Sequence, residues 1–317
     1  MNKISLLALP LLGLLVLFGQ GACTPHPQPP LAIGINTWPG YAPLWLAGES
    51  LDDIHMVQYP STSDVIKDFQ GEILDAAAVT LDEALKLAAS GMDIDIVLPL
   101  DVSHGADGLV AKDTIHELAE LKGKRIGVEN TALGAYLLGR SLEKAGLKTN
   151  DVIIVPLEIP DHPKAWANGA IDAAITFEPQ LSQLRAANGR ILLDTRDLPN
   201  EVIDVLVVRR DAVREHRDAL ERLSASWHQI IANLDSQPSL TLPAIATASG
   251  YSTDALRLAY SGLTFPNRSN AEMMLAGPMS PLCSSLRGMA AIMVGQGLLP
   301  HHPGRLPFPC HEGRDAR

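Results

Sequence analysis

Residues 74–85 read LDAAAVTLDEAL, and residues 171–181 read IDAAITFEPQL. Each stretch follows a predicted helix that ends in a glycine, at Gly71 and at Gly169. Both continue as an Asp-Ala-Ala strand, a threonine, an acidic residue and a second helix. A repeat separated by this much sequence predicts two similar α/β lobes rather than an array of small units. Chance similarity is the alternative, because strand–helix units share their composition.

Short apolar strands alternate with amphipathic helices around this repeat, which predicts an α/β fold with mostly parallel sheets. The predicted strands are Ala32–Asn36, His55–Tyr59, Ala76–Thr80, Ile94–Leu100, Gly108–Ala111, Arg125–Val128, Val152–Pro156, Ala173–Thr176, Arg190–Leu193 and Val202–Arg209. Beyond residue 211 the pattern is helical, with predicted helices at Asp211–Leu234, Leu242–Ala248, Thr253–Ser261, Ala271–Leu275 and Pro281–Gln296. The segment 301–317 is rich in Pro, Gly and charge and is predicted to be a loosely held tail.

Length and composition agree with two globular lobes. The chain has 317 residues, which is more than one hydrophobic core usually serves. Hydrophobic residues make up 46% and charged residues 19%, as in ordinary soluble domains. The formal net charge of −11 repels phosphate backbones, and the sequence has no basic stripe with interleaved aromatic residues. Nucleic-acid binding is therefore not expected.

The N-terminus has the pattern of an export signal, predicted over residues 1–22. Its apolar run, residues 4–18, is too short to span a bilayer comfortably. Cys23 follows a Gly-Ala pair and resembles the cysteine of a bacterial lipobox, although Gln20 stands where that motif has an aliphatic residue. The resemblance implies a lipidated, membrane-anchored periplasmic protein with a flexible tether at 23–30. Ordinary cleavage, giving a soluble periplasmic protein with a free Cys23, and a retained membrane anchor are the alternatives.

Two further cysteines, Cys283 and Cys310, belong to the exported part of the chain. An oxidising compartment allows a disulfide between them, but sequence does not supply their spacing in space, so a free pair is equally compatible. His301, His302 and His311 lie near Cys310, yet their spacing matches no defined zinc site. We predict no metal and no cofactor.

Three stretches resemble one family of exported receptors. Residues 32–47 read AIGINTWPGYAPLWLA, residues 103–107 read SHGAD, and residues 121–129 read LKGKRIGVE. With the repeated Asp-Ala-Ala stretches, these are similar to the nitrate, taurine and aliphatic-sulfonate type of substrate-binding proteins of ABC importers, which include thiamine-pyrimidine-precursor binders. The resemblance is good over residues 31–210 and loose over the helical remainder.

The resemblance implies a periplasmic binding protein type II fold with two lobes, a two-strand hinge and a helical C-terminal region. The first lobe would comprise residues 31–112 and would be completed by residues 204–300, which return through the hinge. The second lobe would be inserted at 113–203. The chain would cross between the lobes on Gly108–Ala111 and on Asp204–Arg209. Closure of such a hinge buries a ligand between the lobes.

Ligands of open α/β sheets bind beyond the carboxyl ends of the strands, which nominates the residues that follow each strand. The family resemblance points to the same loops. The candidate ligand-binding residues are Trp38, Tyr41, Thr80, Asp82, Ser103, Asp107, Glu129, Thr131, Glu178 and Asp204.

Several of these residues also have a structural interpretation. Trp38 and Tyr41, in a Pro-Gly turn, could stack on a planar or cationic group or could cap the core of the lobe. Thr80 and Glu83 have the spacing of a capping box, which would leave the intervening acidic residue free to face the cleft. Thr131 could cap the helix that follows it, whose first N–H groups could hold an anion.

Acidic residues dominate the loops at the predicted strand ends and hinge, where Lys and Arg are nearly absent. They are Asp82, Asp101, Asp107, Glu129, Glu178 and Asp204. A sulfonate or nitrate would need Arg, Lys or several N–H donors. We therefore predict a cationic or zwitterionic, nitrogen-containing ligand. The alternative is that many of these carboxylates are helix caps and solvated edges.

The sequence thus predicts a monomeric solute-binding lipoprotein that delivers a small polar molecule to an ABC permease and ATPase. A ligand sensor for a membrane signalling protein is the first alternative, because its binding physics would be the same. An enzyme on the same fold is the second and is disfavoured, since the chain has no cysteine-rich motif, nucleophile elbow, phosphate loop or zinc-binding helix.

Overall fold

The computed structural model describes residues 28–304 and 306–310, and its strands form two separate sheets. The first sheet has the spatial order β11 (Leu263–Thr264), β4 (Ile94–Ser103), β10 (Ile203–Arg209), β3 (Ala76–Thr80), β1 (Leu31–Ile35) and β2 (Ile54–Gln58). The second sheet has the order β7 (Ile153–Pro156), β6 (Arg125–Val128), β8 (Ala173–Phe177), β5 (Asp107–Lys112) and β9 (Gly189–Asp194). The predicted α/β fold with two lobes is confirmed. The predicted signal peptide and Cys23 lie outside the described residues.

The two sheets share one pattern of parallel and antiparallel strand pairing. In the first, β1 is parallel to β2 and β3, while β10 is antiparallel to β3 and β4. In the second, β6 is parallel to β7 and β8, while β5 is antiparallel to β8 and β9. The repeated sequence stretches form β3 and β8, which occupy equivalent places and are buried at every residue. The internal repeat is therefore structural.

The chain passes between the sheets twice, at residues 104–106 and at residues 195–202. The first crossing precedes β5, whereas the predicted boundary at 112 follows it, and the return crossing ends within one residue of the predicted boundary at 203. Strand β5 pairs along its length with β8 and β9, and β10 pairs with β3 and β4, so neither strand is shared between lobes. Ladder hydrogen bonds resist bending, and the hinge therefore falls in the irregular residues between strands.

Twelve α-helices surround the sheets of the described chain. They are α1 (Ala42–Gly48), α2 (Thr62–Gln70), α3 (Leu81–Ala89), α4 (Ala132–Ala145), α5 (His162–Ala167), α6 (Gln180–Ala186), α7 (Arg210–Glu215), α8 (Arg217–Ser236), α9 (Pro238–Ser249), α10 (Thr253–Tyr260), α11 (Arg268–Met274) and α12 (Pro281–Gly295). Helices α8 and α9 pack on α1, and α12 packs on α3, so the C-terminal helices complete the first lobe. Two predictions here were wrong: the long helix breaks at His216, and the short strand β11 follows α10.

Local sequence signals explain where α4 begins and ends. The Thr131 hydroxyl accepts a hydrogen bond from the Gly134 N–H at 3.1 Å, which satisfies one of the free donors of the first turn. Gly146 ends the helix at φ +67°, a left-handed conformation that glycine adopts without a steric penalty. Helix α4 is thereby held with its N-terminus at the carboxyl end of β6.

One apolar cluster joins the two lobes behind the hinge. It contains Ile94 of β4, Ile126 of β6, Tyr136 of α4 and Leu286 of α12. The disulfide between Cys283 and Cys310, with a Cα–Cα distance of 5.1 Å, lies in the same cluster. None of the helices in the described chain is long and apolar enough to cross a membrane.

Candidate functional site

A small polar cavity lies between the sheets, at the carboxyl ends of β1, β3 and β8. Its volume is about 10 Å³, which is on the order of one water molecule. The lining residues come from both lobes and are Asn36, Trp38, Tyr41, Thr62, Thr80, Glu83, Asp107, Leu133, Phe177 and Asp204. The lobes are therefore closed on each other, and any larger solute requires them to separate.

Sheet register places the polar residues of the cavity side by side. On the first sheet, Asp204 of β10 lies between Thr80 of β3 and Asp101 of β4. On the second sheet, Asp107 of β5 lies opposite Phe177 of β8. Because β10 and β5 run against their neighbours, their first residues meet the carboxyl ends of the parallel strands.

The aromatic turn after β1 forms one wall. The Trp38 Nε1–H donates to Asp101 Oδ2 at 3.2 Å, and the Tyr41 hydroxyl donates to Asp204 Oδ1 at 2.5 Å. The Trp38 ring meets the Phe177 ring of the other lobe edge-on, with centroids 5.3 Å apart. Both residues of the turn are buried, so they pack the lobe and line the cavity at once.

The acidic side chains of the cavity are buried without cationic partners. Burial raises the pKa of Glu83 and of Asp107 to about 8. It raises the pKa of Asp101, behind Trp38, to about 7, and burial with neighbouring carboxylates raises the pKa of Asp204 well above its usual range. The cause is desolvation, since water no longer stabilises the anions. No Lys or Arg is among the residues that line the cavity.

Several buried oxygens at the site lack hydrogen-bond partners among the described residues. They are Thr80 Oγ1, Asp101 Oδ1, Asp107 Oδ2, Thr176 Oγ1 and Asp204 Oδ2. A buried acceptor without a donor costs free energy, because it gives up its bonds to water. These oxygens are therefore positioned to pair with polar groups of a ligand.

Half of the nominated residues line the cavity, and half do not. Trp38, Tyr41, Thr80, Asp107 and Asp204 line it. Asp82, Ser103, Glu129, Thr131 and Glu178 lie outside its wall in this closed arrangement, and their role in ligand binding stays a prediction. Asp82, which was expected to face the cleft, is fully buried beside it at the start of α3.

The remaining four have structural partners that explain their placement. Ser103 and Thr195 join the two chain crossings through their hydroxyls, 2.8 Å apart. Glu178 accepts hydrogen bonds from the backbone N–H and the hydroxyl of Ser182 in α6. Thr131 caps α4, as described above. Glu129 reaches across the cleft and accepts from the Thr62 N–H of α2 at 3.4 Å.

Five lining residues were not nominated from sequence. Asn36 donates to Thr62 Oγ1 at 2.6 Å and accepts from the Trp38 N–H at 2.8 Å, so it connects two parts of the wall. Asn36 directly follows β1 and Phe177 ends β8, so both lie where the strand-end rule points. Glu83 both accepts from the Thr80 N–H at 3.0 Å and lines the cavity, so capping and site roles coincide. Leu133 is the fifth.

A polar cavity between two matching α/β lobes defines a solute-binding protein with the periplasmic binding protein type II fold. The chain belongs to the NMT1-like family, whose model matches residues 24–240. This membership agrees with the family resemblance seen in the sequence.

Comparisons with individual proteins agree with this class. The taurine-binding periplasmic protein of Escherichia coli (strain K12) is 28% identical over 225 residues, covering 67% of this chain and 68% of that protein. The alkanesulfonate-binding protein SsuA from Xanthomonas axonopodis pv. citri, solved bound to MOPS, superposes with a TM-score of 0.72 at 19% identity and covers 89% and 98% of the two chains. The desulfurization enzyme DSZB has a TM-score of 0.58 at 19% identity, covering 87% and 95%. The fold is thus shared by binding proteins and by an enzyme.

Proposed function

We propose that this chain is the solute-binding component of an ABC importer and captures a small ligand that carries a protonated nitrogen. The carrying observation is the set of buried carboxylates Glu83, Asp107 and Asp204, which line one cavity without a cationic partner among its lining residues. A buried negative charge must be protonated or paired. An ammonium or amidinium group would pair these carboxylates and supply donors to their free oxygens.

A zwitterion fits both the carboxylates and the relatives. Taurine carries an ammonium and a sulfonate, and the relative from Escherichia coli is named for binding it. The start of α2 offers a place for an anionic oxygen, because the Thr62 N–H donates to the Glu129 carboxylate there. When the lobes open, Glu129 would leave this N–H, and a sulfonate of the ligand could take its place.

Calorimetric titration with three matched compounds tests the proposal. Taurine has both charged groups, ethanolamine keeps only the ammonium, and ethanesulfonate keeps only the sulfonate. We expect taurine or ethanolamine to bind, and ethanesulfonate to bind at least about 100-fold more weakly, because it leaves the buried acceptors unpaired. Ethanesulfonate binding as tightly as taurine would refute the role of the carboxylates.

We propose binding, rather than catalysis, as the activity of this cavity. Its lining residues include no Cys, His or Lys that could act as nucleophile, and the two described cysteines are joined to each other. Incubating the protein with taurine and finding a chemically altered product by mass spectrometry would favour an enzyme, such as the structural neighbour DSZB.

The cellular setting forms part of the proposal. A periplasmic receptor tethered through a lipid on Cys23 would deliver its ligand as a monomer to a permease and ATPase. Mass spectrometry of the mature N-terminus tests the lipid, which would be absent if cleavage leaves a free cysteine. Co-purification with a permease would support transport, and co-purification with a membrane signalling protein would support the sensor alternative.

A further inference from the structure

The end of the chain is tied to the first lobe but reaches the second. We name residues 281–304 and 306–310 the C-terminal strap. Its helix α12 packs on α3 and α11, which belong to the first lobe. Its last part pairs with β4, where the Ile96 N–H donates to the Phe308 carbonyl oxygen at 2.9 Å. The disulfide between Cys283 and Cys310 joins these two parts into one ring.

The residue that follows α12, Gln296, lies against a glycine of the second lobe. A Cβ added to Gly139 of α4 would lie 2.5 Å from Gln296 Oε1 and 2.6 Å from its Cδ. The Gln296 amide therefore occupies the space that any other residue at position 139 would fill. Glycine is a poor residue for the middle of a helix. Its presence at position 139 lowers the helix propensity of α4 but makes room for the Gln296 side chain.

Open grooves flank this contact on both sides. One groove, of about 730 Å³, lies between α4 and the end of α12 and includes Leu142, Ile154 and Leu298. The other, of about 490 Å³, includes Asn200, Glu201 and Gly288. The turn around Gln296 is thus flanked by open space on both sides, whereas Met289 and Met293 of α12 pack in the apolar cluster that α4 shares.

The hinge lies beside the strap. Glu201, in the returning crossing, accepts two hydrogen bonds from the Arg140 guanidinium, at 2.7 and 2.9 Å, and one from the Tyr136 hydroxyl at 2.7 Å. The crossing is therefore fixed to α4 as far as Glu201. Rotation of the second lobe about the hinge would carry α4 away from the strap, which stays with the first lobe.

We propose that the C-terminal strap stabilises the closed lobes, and that Gly139 and Gln296 are positioning residues for closure. The strap contacts α4 in the closed arrangement and loses this contact on opening. A contact made in one state only shifts the equilibrium toward that state. The inference rests on the proposed receptor function only in assuming that the lobes open to admit a ligand.

The test of this proposal replaces Gly139, which lies against the C-terminal strap, with leucine. Gly139→Leu keeps a good helix former in α4 but takes the space of the Gln296 amide and removes its contact with α4, whereas Gly288→Leu is a matched control whose Cβ meets nothing within 4 Å. We expect Gly139→Leu to increase the radius of gyration in small-angle X-ray scattering and to weaken taurine binding about tenfold. Adding Gln296→Ala should recover part of both effects, and Gly288→Leu should match the wild type.

Scattering needs no ligand, so it tests the strap even if the protein binds no amine. A Gly139→Leu protein as compact as the wild type would overturn the inference, as would equal expansion in Gly288→Leu. If Gly139→Leu fails to fold, Gln296→Ala alone decides, because it removes the contact without a clash. The radius of gyration of that variant should increase slightly, and an unchanged value would contradict the proposed role of the C-terminal strap.

Discussion

The two lobes fold alike but contribute differently to the cavity. At equivalent places, β10 and β5 present Asp204 and Asp107. The neighbouring strand ends differ, because β3 ends in a hydroxyl, Thr80, whereas β8 ends in an aromatic ring, Phe177. The first lobe also supplies Tyr41, which binds Asp204. The first lobe thus contributes more of the polar wall, and the second contributes Asp107 with the apolar side chains of Leu133 and Phe177; under the proposed function, the first lobe would recognise charge and the second would mainly close over it.

The strongest test of this difference replaces the equivalent aspartates separately. We expect Asp204→Asn to weaken taurine binding at least about 100-fold, because it removes a buried charge that Tyr41 holds in place. Asp107→Asn should cost roughly tenfold, since Asp107 has an unpartnered oxygen and no such tyrosine. Titration calorimetry measures both. Glu178→Gln, outside the cavity wall, is the control and should bind normally; equal losses for both aspartates would remove the asymmetry.

The pH dependence should show opposite trends for stability and binding. Glu83 and Asp107 have pKa values of about 8 in the fold, above those of the unfolded chain. With these two groups the folded state binds more protons, so their contribution to the free energy of unfolding is full below about pH 4 and is lost as pH rises toward 8. A cationic ligand prefers the ionised carboxylates, and its affinity should rise by up to about tenfold per pH unit per proton released. Denaturation and calorimetry from pH 5 to 8 measure both trends, and parallel trends would contradict the cationic ligand.

The closing role of the second lobe predicts a smaller effect. Phe177→Ala should weaken binding roughly tenfold, since it removes the ring that meets Trp38 across the cleft. The preference for taurine over ethanesulfonate should stay unchanged, because the carboxylates remain. A lost preference would show that the second lobe also selects charge.

Two threonines give the smallest effects. Thr131→Ala should lower the free energy of unfolding by about 1 kcal/mol, because it removes the cap of α4, and should leave affinity unchanged. Thr80→Ala should instead weaken binding by a few fold, since its hydroxyl lines the cavity. Urea denaturation and calorimetry on both variants separate the two roles. A binding defect in Thr131→Ala would show that Thr131 takes part in ligand binding.

Most of the fold followed from sequence because its signals are local. Ala76–Thr80 and Arg125–Val128 are buried strands with the predicted bounds, since short apolar runs between helices leave little choice. The lobe boundaries did not follow, because a strand that crosses a hinge and one that stays in a sheet have the same pattern. Strand β5 is an example.

The residues of the candidate site could be predicted from the sequence only in part. The strand-end rule located Asp107, in the loop after β4, and the predicted hinge crossing located Asp204; both line the cavity. It could not separate them from Glu178, because whether a side chain caps the next helix or faces a cavity depends on how that helix is rotated. Thr62 starts a helix and reaches the wall through packing that no local pattern records.

A cavity with room for about one water molecule has a kinetic consequence. Solute held there cannot exchange with the bulk until the lobes part, so its residence time is governed by the frequency of opening. Such gating motions run on microsecond to millisecond scales. A membrane partner that separated the lobes would therefore set the rate at which the solute is released, whatever the strength of the contacts between solute and cavity.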